Sequence, residues 1–149
     1  MLKLTENGIH PIFFDEDNNL IVERDYKFEE MIQTRGLFSG SPSLFLKTGI
    51  CNLKCIKDGE ICKICCEKNN TKIEKDTQTV SNIIRNNIGN IRHLVINGGE
   101  PTLQATKIIE LLDLIKDLNL IITLETNGTI YNEELFKRVD YFSIFPTLS

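Results

Sequence analysis

The chain has 149 residues, of which 41% are hydrophobic and 26% are charged. These values are typical of one globular domain and exclude disordered, collagen-like and coiled-coil proteins. Its formal net charge of −4 argues against nucleic-acid or membrane partners, and neither a signal peptide nor an apolar run of ~18 residues is visible, so we expect a single cytoplasmic domain over residues 1–149.

The N-terminal segment predicts a β-hairpin. Two apolar runs, Ile9–Phe14 and Asn19–Glu23, flank the turn-forming residues 15–18. Alternating strand and turn signals of this kind are typical of two paired strands. We therefore expect residues 1–30 to form a hairpin extension that lies outside the main body of the domain.

A loop and a strand then lead into a cysteine-rich segment. Residues 34–42 contain two glycines and a proline, which favour a loop. Ser43–Thr48 predicts a strand that ends shortly before Cys51. The polar residues Glu67–Asp76 that follow the cysteines predict an exposed segment.

Strands and helices alternate over the second half of the chain. Helical spacing of apolar residues and short β-branched runs predict βαβ units, and hence a parallel sheet in an α/β fold with its core in residues 43–149. The predicted strands are Ile91–Ile96, Leu120–Leu124 and Tyr141–Phe145, and the predicted helices are Thr77–Ile88, a helix carrying the apolar residues from Ile108 to Leu118, and Asn132–Lys137.

Polar motifs follow three of the predicted strands: the cysteine loop, Asn97–Pro101 (NGGEP) and Glu125–Thr129 (ETNGT). Each alone is compatible with an ordinary turn. The carboxyl ends of parallel strands share one edge of the sheet, where ligands collect, so three such motifs predict a binding site. The Glu100 carboxylate is suited to hold an ammonium group.

All five cysteines lie within sixteen residues, at Cys51, Cys55, Cys62, Cys65 and Cys66. An odd number of clustered thiols is atypical of a disulfide framework and indicates a metal or cluster site. Two thiolate pairs at these spacings also fit a closed zinc site. The spacing alone leaves zinc and an iron–sulfur cluster open, but zinc explains neither of the other two motifs.

In combination these motifs resemble the radical S-adenosylmethionine (SAM) superfamily, which has a partial (βα) barrel. Within it they are most similar to the 7-carboxy-7-deazaguanine synthases of queuosine-precursor synthesis. The segments that carry the resemblance are Cys51-Asn52-Leu53-Lys54-Cys55, Gly98-Gly99-Glu100-Pro101, Glu125-Thr126-Asn127-Gly128-Thr129, Ile32-Gln33-Thr34-Arg35-Gly36 and Gly40-Ser41-Pro42-Ser43-Leu44-Phe45-Leu46-Lys47.

The resemblance implies a [4Fe–4S] cluster on three cysteines and an open iron that binds S-adenosylmethionine, whose cleavage gives a 5′-deoxyadenosyl radical. The common pattern Cys-x3-Cys-x2-Cys is broken because Asp58 occupies the third position. Some relatives carry an insertion here, which favours Cys51, Cys62 and Cys65 as ligands. Cys55 and Cys66 remain the alternatives.

Other residues receive roles through the same resemblance. The cofactor-binding residues would be Asn97, Gly98, Gly99, Glu100, Glu125 and Asn127. Gln33, Arg35 and Lys47 would bind a small-molecule substrate. A flavodoxin or ferredoxin would supply electrons, and a homodimer is compatible with the short chain.

Departures from the family pattern weaken the prediction of its reaction. Arg35 replaces a glutamate, and Cys66-Glu67 replaces an Asp-Thr whose threonine binds magnesium, which makes Mg²⁺ doubtful. Catalytic residues are therefore not assigned. A glycyl-radical activase and a non-enzymatic zinc-binding module are the alternative functions.

Overall fold

The computed structural model describes residues 1–10, 13–14, 20–21, 33, 36–53, 56–57, 60–61 and 73–146. Elements are numbered along these residues. The strands are β1 (Leu2–His10), β2 (Phe13–Phe14), β3 (Leu20–Ile21), β4 (Leu44–Thr48), β5 (Ile56–Lys57), β6 (Glu60–Ile61), β7 (Ile73–Lys75), β8 (His93–Gly98), β9 (Ile121–Thr126) and β10 (Tyr141–Ile144). The α-helices are α1 (Thr77–Asn87), α2 (Ala105–Ile115) and α3 (Glu133–Phe136), and 3₁₀ turns cover Pro101–Gln104 and Lys116–Leu118.

A six-stranded mixed sheet in the order β10-β9-β8-β4-β1-β7 organises the fold. β4, β8, β9 and β10 run parallel, as the alternation of strands and helices predicts. The mixed α/β class is thereby confirmed. In register, Thr48 of β4 faces Gly98 of β8, and Ile96 of β8 faces Leu124 of β9, so the carboxyl ends of these three strands are neighbours.

The predicted placement of residues 1–30 outside the main body of the domain is wrong for Leu2–His10. β1 begins at Leu2 and pairs antiparallel with both β4 and β7, so it lies inside the main sheet. Leu2 and Leu4 are fully buried there, which stabilises this position. The hairpin pairing itself is present between β2 and β3.

The predicted exposed segment Glu67–Asp76 contains a strand that the sequence does not predict, because Ile73–Lys75 forms β7 at the edge of the sheet, while residues 67–72 lie outside the described residues. Ile73 is half-buried against the core, whereas Glu74 between the two inward positions is exposed. A short, charged edge strand of this kind protects the sheet from further pairing. Because β7 is mostly polar, the sequence pattern does not predict it as a strand.

The helices pack on one face of the sheet and form the core with it. Val80 and Ile84 of α1 and Ile108, Leu111 and Ile115 of α2 are buried against alternate residues of the strands. Asp76 caps α1 by accepting a hydrogen bond from Thr79 N, and Asn132 caps α3 through Leu135 N. No helix in the described part of the chain is long and apolar enough to cross a membrane.

The opposite face of the sheet, here called the loop-covered face, carries residues from Gln33 and the segment 36–42. The Phe38 ring lies 4.9 Å from the His93 ring and 4.8 Å from the Tyr141 ring. Gln33 is buried and its amide donates to the Glu125 carboxylate at 3.0 Å. Side chains of β4, β8 and β9 that do not enter the core point to this face, because successive residues of a strand alternate.

Candidate functional site

The three motif-bearing loops meet at the carboxyl ends of β4, β8 and β9. This edge is called the rim below. The cysteine loop leaves β4 at Thr48, NGGEP includes the last two residues of β8, and ETNGT begins within β9. Parallel pairing of the strands places these loops side by side. The rim is therefore the candidate site.

Gly98 and Gly99 allow the β8 loop to pack directly on the backbone of the cysteine loop. A Cβ atom on Gly99 would lie 1.9 Å from Ile50 O, and one on Gly98 would lie 2.2 Å from Thr48 O. The same approach forms backbone hydrogen bonds from Gly99 N to Thr48 O and from Glu100 N to Ile50 O, both 2.8 Å long. The glycines therefore serve close packing of two loops.

The Glu100 carboxylate joins the β8 loop to the β9 loop. Its Oε1 atom accepts from Thr102 N at 3.1 Å, Thr102 Oγ1 at 2.6 Å and Thr126 Oγ1 at 2.7 Å, while Oε2 accepts from Asn127 N at 2.7 Å. The residue has no exposed surface. These bonds compensate the burial of the charge, and they give Glu100 a structural task. Its contact with a cofactor ammonium stays a prediction.

The cysteine loop and the ETNGT loop are linked by side chains as well. Asn127 Nδ2 donates to Asn52 Oδ1 at 2.9 Å, and Asn52 Nδ2 donates to Thr129 Oγ1 at 2.8 Å. Thr129 Oγ1 donates in turn to Asn127 Oδ1 at 2.7 Å. These three residues form a closed hydrogen-bonded ring, called the rim ring below.

A row of polar residues lies on the loop-covered face just below the rim. Lys47, Asn97 and Glu125 occupy neighbouring positions on β4, β8 and β9. Asn97 Nδ2 donates to Glu125 Oε2 at 3.2 Å, and Gln33 Nε2 donates to Oε1 of the same carboxylate. Asn97 Oδ1 is buried and has no hydrogen-bond partner among the described residues. An unsatisfied buried acceptor beside a set of polar groups is suited to receive a donor from a bound molecule.

The structure describes one of the predicted cluster ligands, Cys51, which is half-buried at the rim. Cys62 and Cys65, the alternatives Cys55 and Cys66, and the predicted substrate residue Arg35 lie outside the described residues. The described part of the chain contains no group of three side chains that could hold a metal ion. The ligand set therefore stays a prediction.

The sequence predicts that the three motif loops share the rim, but it does not predict the hydrogen bonds that join them. Asn52, Thr126 and Thr129 lie within the motifs, yet no role was predicted for their side chains. The signal in the sequence was the presence of short hydrogen-bonding residues at strand ends, which favour local turns and give no indication of their distant partners.

Comparisons with known proteins show which proteins the chain is similar to. The chain is 33% identical over 122 residues to a 7-carboxy-7-deazaguanine synthase of Halobacterium salinarum, a match that covers 79% of this chain and 43% of the relative. A protein of the same name from Rhodopirellula baltica is 31% identical over 117 residues, covering 78% of this chain and 42% of the relative. The chain resembles the 7-carboxy-7-deazaguanine synthases.

This confirms the resemblance to the 7-carboxy-7-deazaguanine synthases that the motifs indicate, at a divergent level of identity. The chain spans less than half of the length of both relatives. A crystal structure of QueE from Escherichia coli has a similar fold, with a TM-score of 0.53, 17% identity, and coverage of 74% of this chain and 65% of that chain. No protein-family profile matches the sequence.

Proposed function

We propose that this chain is a radical SAM protein that binds a [4Fe–4S] cluster and S-adenosylmethionine at the rim. The observation that supports it most is the union of three motif loops, one of which carries Cys51, at the carboxyl ends of adjacent parallel strands. The proposal includes the partial barrel of the superfamily. It also includes a reaction similar to the one for which the relatives, 7-carboxy-7-deazaguanine synthases, are named.

The described residues fit these groups in two respects. Cys51 is accessible at the rim, where a thiolate can bind iron. The unpartnered Asn97 Oδ1 can accept a hydrogen bond from a bound molecule. With Cys62 and Cys65 as further ligands, the cluster would supply one-electron reduction of the bound cofactor and so a 5′-deoxyadenosyl radical.

The chain's own residues would position the reactants and exclude water. The NGGEP loop would bind the methionine part of the cofactor, and Glu125 and Asn127 would lie along its ribose or carboxylate. Gln33, Arg35 and Lys47 would bind the substrate, and the Arg35 cation would favour an anionic group on it. Each of these roles is assigned from the family resemblance, and for Lys47, Gln33 and Glu125 it is supported by their common place on the loop-covered face.

Metal and sulfide analysis after anaerobic purification tests the proposal. We expect about four iron and four sulfide per chain and a brown absorbance. Cys51→Ala, Cys62→Ala and Cys65→Ala should each abolish the cluster, while Cys55→Ala and Cys66→Ala serve as matched controls that retain it. Zinc without sulfide would overturn the proposal in favour of a closed thiolate site.

A second assay addresses the reaction. The reduced, reconstituted protein is incubated with S-adenosylmethionine and 6-carboxytetrahydropterin, with and without Mg²⁺. We expect formation of 5′-deoxyadenosine in both cases, without stimulation of any deazaguanine product by magnesium, because Glu67 stands where the family has a threonine ligand. Strong stimulation by magnesium would contradict this expectation.

A further inference from the structure

The rim ring has a defined direction of hydrogen bonding. Asn52 Oδ1 accepts from Asn127 Nδ2, so the other end of the Asn52 amide donates to Thr129 Oγ1. The Thr129 hydroxyl has one proton, which it donates to Asn127 Oδ1. Each donor thus meets an acceptor. The backbone N–H of Thr129 also donates to Asn127 Oδ1 at 3.0 Å, so the Asn127 amide oxygen must face Thr129, and this sets the direction of the whole ring. The ring therefore fixes the orientation of all three side chains.

The ring joins segments that are distant in the sequence. The bond between Thr129 and Asn127 is local, and by itself it would be an ordinary turn. The Asn52 bonds span 75 and 77 residues, so they tie the cysteine loop to the β9 loop. Asn127 is also fixed through its backbone, because its N–H donates to the buried Glu100 carboxylate. The β9 loop is therefore an anchored support for Asn52.

Cys51 lies between two such attachments. On its N-terminal side, Ile50 O accepts from Glu100 N at 2.8 Å. Ile50 adopts a φ of 78°, a region that costs ~1–2 kcal/mol for a residue with a Cβ and is unusual for a β-branched one. On its C-terminal side, Asn52 is held by the ring. The backbone of Cys51 is thus fixed from both directions by residues of the other two motifs.

We infer that Asn52, Asn127 and Thr129 are positioning residues that hold Cys51 in the orientation needed to bind the cluster. The inference rests on the proposed function and extends it, because it assigns Asn127 a task toward the cysteine loop in addition to the predicted contact with the cofactor. Residues that orient a metal ligand contribute strongly to retention of the metal, and their loss typically costs 10–100-fold in affinity.

Removal of one hydroxyl from the ring tests the inference in the loaded protein. Thr129→Val should release iron to a chelator about 10-fold faster than the wild type, whereas Thr129→Ser keeps the hydroxyl and should release iron at close to the wild-type rate. Thr106→Val is the matched control, since Thr106 is an exposed residue of α2. The double variant Asn52→Ala/Thr129→Val should be no worse than Asn52→Ala, because the two residues act through one ring.

A measurement without metal separates this inference from the proposed function. In the metal-free, reduced protein the alkylation rate of Cys51 is followed on the tryptic peptide Thr48–Lys54, which contains no other cysteine. Thr129→Val and Asn52→Ala should raise this rate about 3-fold or more at unchanged melting temperature, and Thr129→Ser should leave it unchanged.

The outcomes are distinct. Alkylation rates and iron release that are both unchanged in Thr129→Val and Asn52→Ala would overturn the positioning role. A wild type that binds no iron, with alkylation that still responds to the ring variants, would overturn the proposed function while showing that the ring orients Cys51. Faster alkylation in Thr129→Val and Asn52→Ala that is matched by a lowered melting temperature, with Thr129→Ser unchanged in both, would show that the ring contributes to stability alone, and would also overturn the inference.

Discussion

The two ends of the parallel strands each contain a buried polar side chain that links neighbouring strands, but the two links differ in kind. At the carboxyl ends, the charged Glu100 accepts four hydrogen bonds from the β8 and β9 loops. At the amino ends, His93 of β8 contacts Ser43 beside β4 and Thr123 of β9, each at 2.7 Å. Both clusters hold the sheet together across strands.

Hydrogen-bond partners and burial both act on His93. The Ser43 hydroxyl donates to Ser41 O at 2.9 Å, so His93 Nδ1 must carry the proton that is shared with Ser43 Oγ. In the neutral imidazole, His93 Nε2 then accepts from the Thr123 hydroxyl. Burial lowers the pKa of His93 below the usual value of 6.5, which favours the neutral imidazole. Both ring nitrogens of His93 are thus hydrogen-bonded within the protein.

The rim, in contrast, carries features that a purely structural link does not require. Ile50 lies in the left-handed region of backbone conformations, and Asn97 Oδ1 is buried without a partner among the described residues. Backbone strain and unsatisfied polar groups are concentrated at functional sites, where a ligand or a rigid geometry compensates them. The comparison therefore locates backbone strain and an unsatisfied polar group at the rim, the edge where ligands bind in parallel α/β folds in general.

The largest effect should come from filling the contact between the two glycine-mediated loops. In Gly99→Ala the new Cβ would overlap Ile50 O, so the rim must separate, and we expect the free energy of unfolding to fall by about 4 kcal/mol. Gly89→Ala is the matched control near the amino end of β8. Gly89 has a φ of 53° and open space around it, so the cost there should be about 1 kcal/mol. Urea denaturation of the metal-free protein measures both, and equal losses would contradict the close packing.

Loss of the Glu100 charge at the rim should lower the free energy of unfolding more than loss of one hydrogen bond to His93 at the amino ends of the strands. Glu100→Gln replaces one carboxylate oxygen by a donor that faces other donors, which should lower the free energy of unfolding by about 2–3 kcal/mol. Thr123→Val removes the bond to His93 Nε2 and should cost about 1 kcal/mol. Chemical denaturation of the two variants in the same buffer decides the order. A smaller loss for Glu100→Gln would show that its carboxylate is not the link between the loops.

The sequence predicts the parallel part of this fold well, and the reasons are local. Val80 and Ile84 of α1 and Leu111 and Ile115 of α2 follow helical spacing, and β8 and β9 are apolar runs, so each element carries its own signal. Because the carboxyl ends of parallel strands share an edge, the meeting of the three motifs was also predictable.

Other features depend on partners that are distant in the sequence. β1 lies in the sheet between β4 and β7, where Leu2 and Leu4 are buried. No local sequence pattern indicates that β1 pairs with these two strands. Glu100 turns inward because Thr126 and Asn127 supply donors from 26 and 27 residues away. The sequence shows such residues as turn formers, so their role in joining loops could not be predicted from it.

Strain at the rim should be measurable as a gain in stability. Ile50→Gly removes the Cβ penalty at a φ of 78°, and after allowance for the greater freedom of glycine in the unfolded chain we expect a gain of about 0.5–1 kcal/mol. Asn119→Gly is the matched control, since Asn119 has a φ of 50° and asparagine tolerates this region, so the change should be within about 0.5 kcal/mol. Thermal unfolding of both variants tests the expectation, and a loss in Ile50→Gly would show that the Ile50 side chain contributes more than its backbone strain costs.

The smallest effect should be a dependence on pH that originates at the amino ends. Because burial lowers the pKa of His93, the unfolded chain takes up a proton below pH ~6.5 that the folded chain does not. The free energy of unfolding should therefore fall as the pH decreases from 7.5 toward 5.5, since stability rises with pH wherever the unfolded state binds more protons. His93→Gln removes this titration and keeps every other titratable group, so the wild type should lose more stability than the variant over the same range. Urea denaturation at several pH values gives the difference between the two slopes. Parallel slopes would mean that His93 takes up its proton as readily in the folded protein as in the unfolded one, and that the amino ends do not require a neutral imidazole.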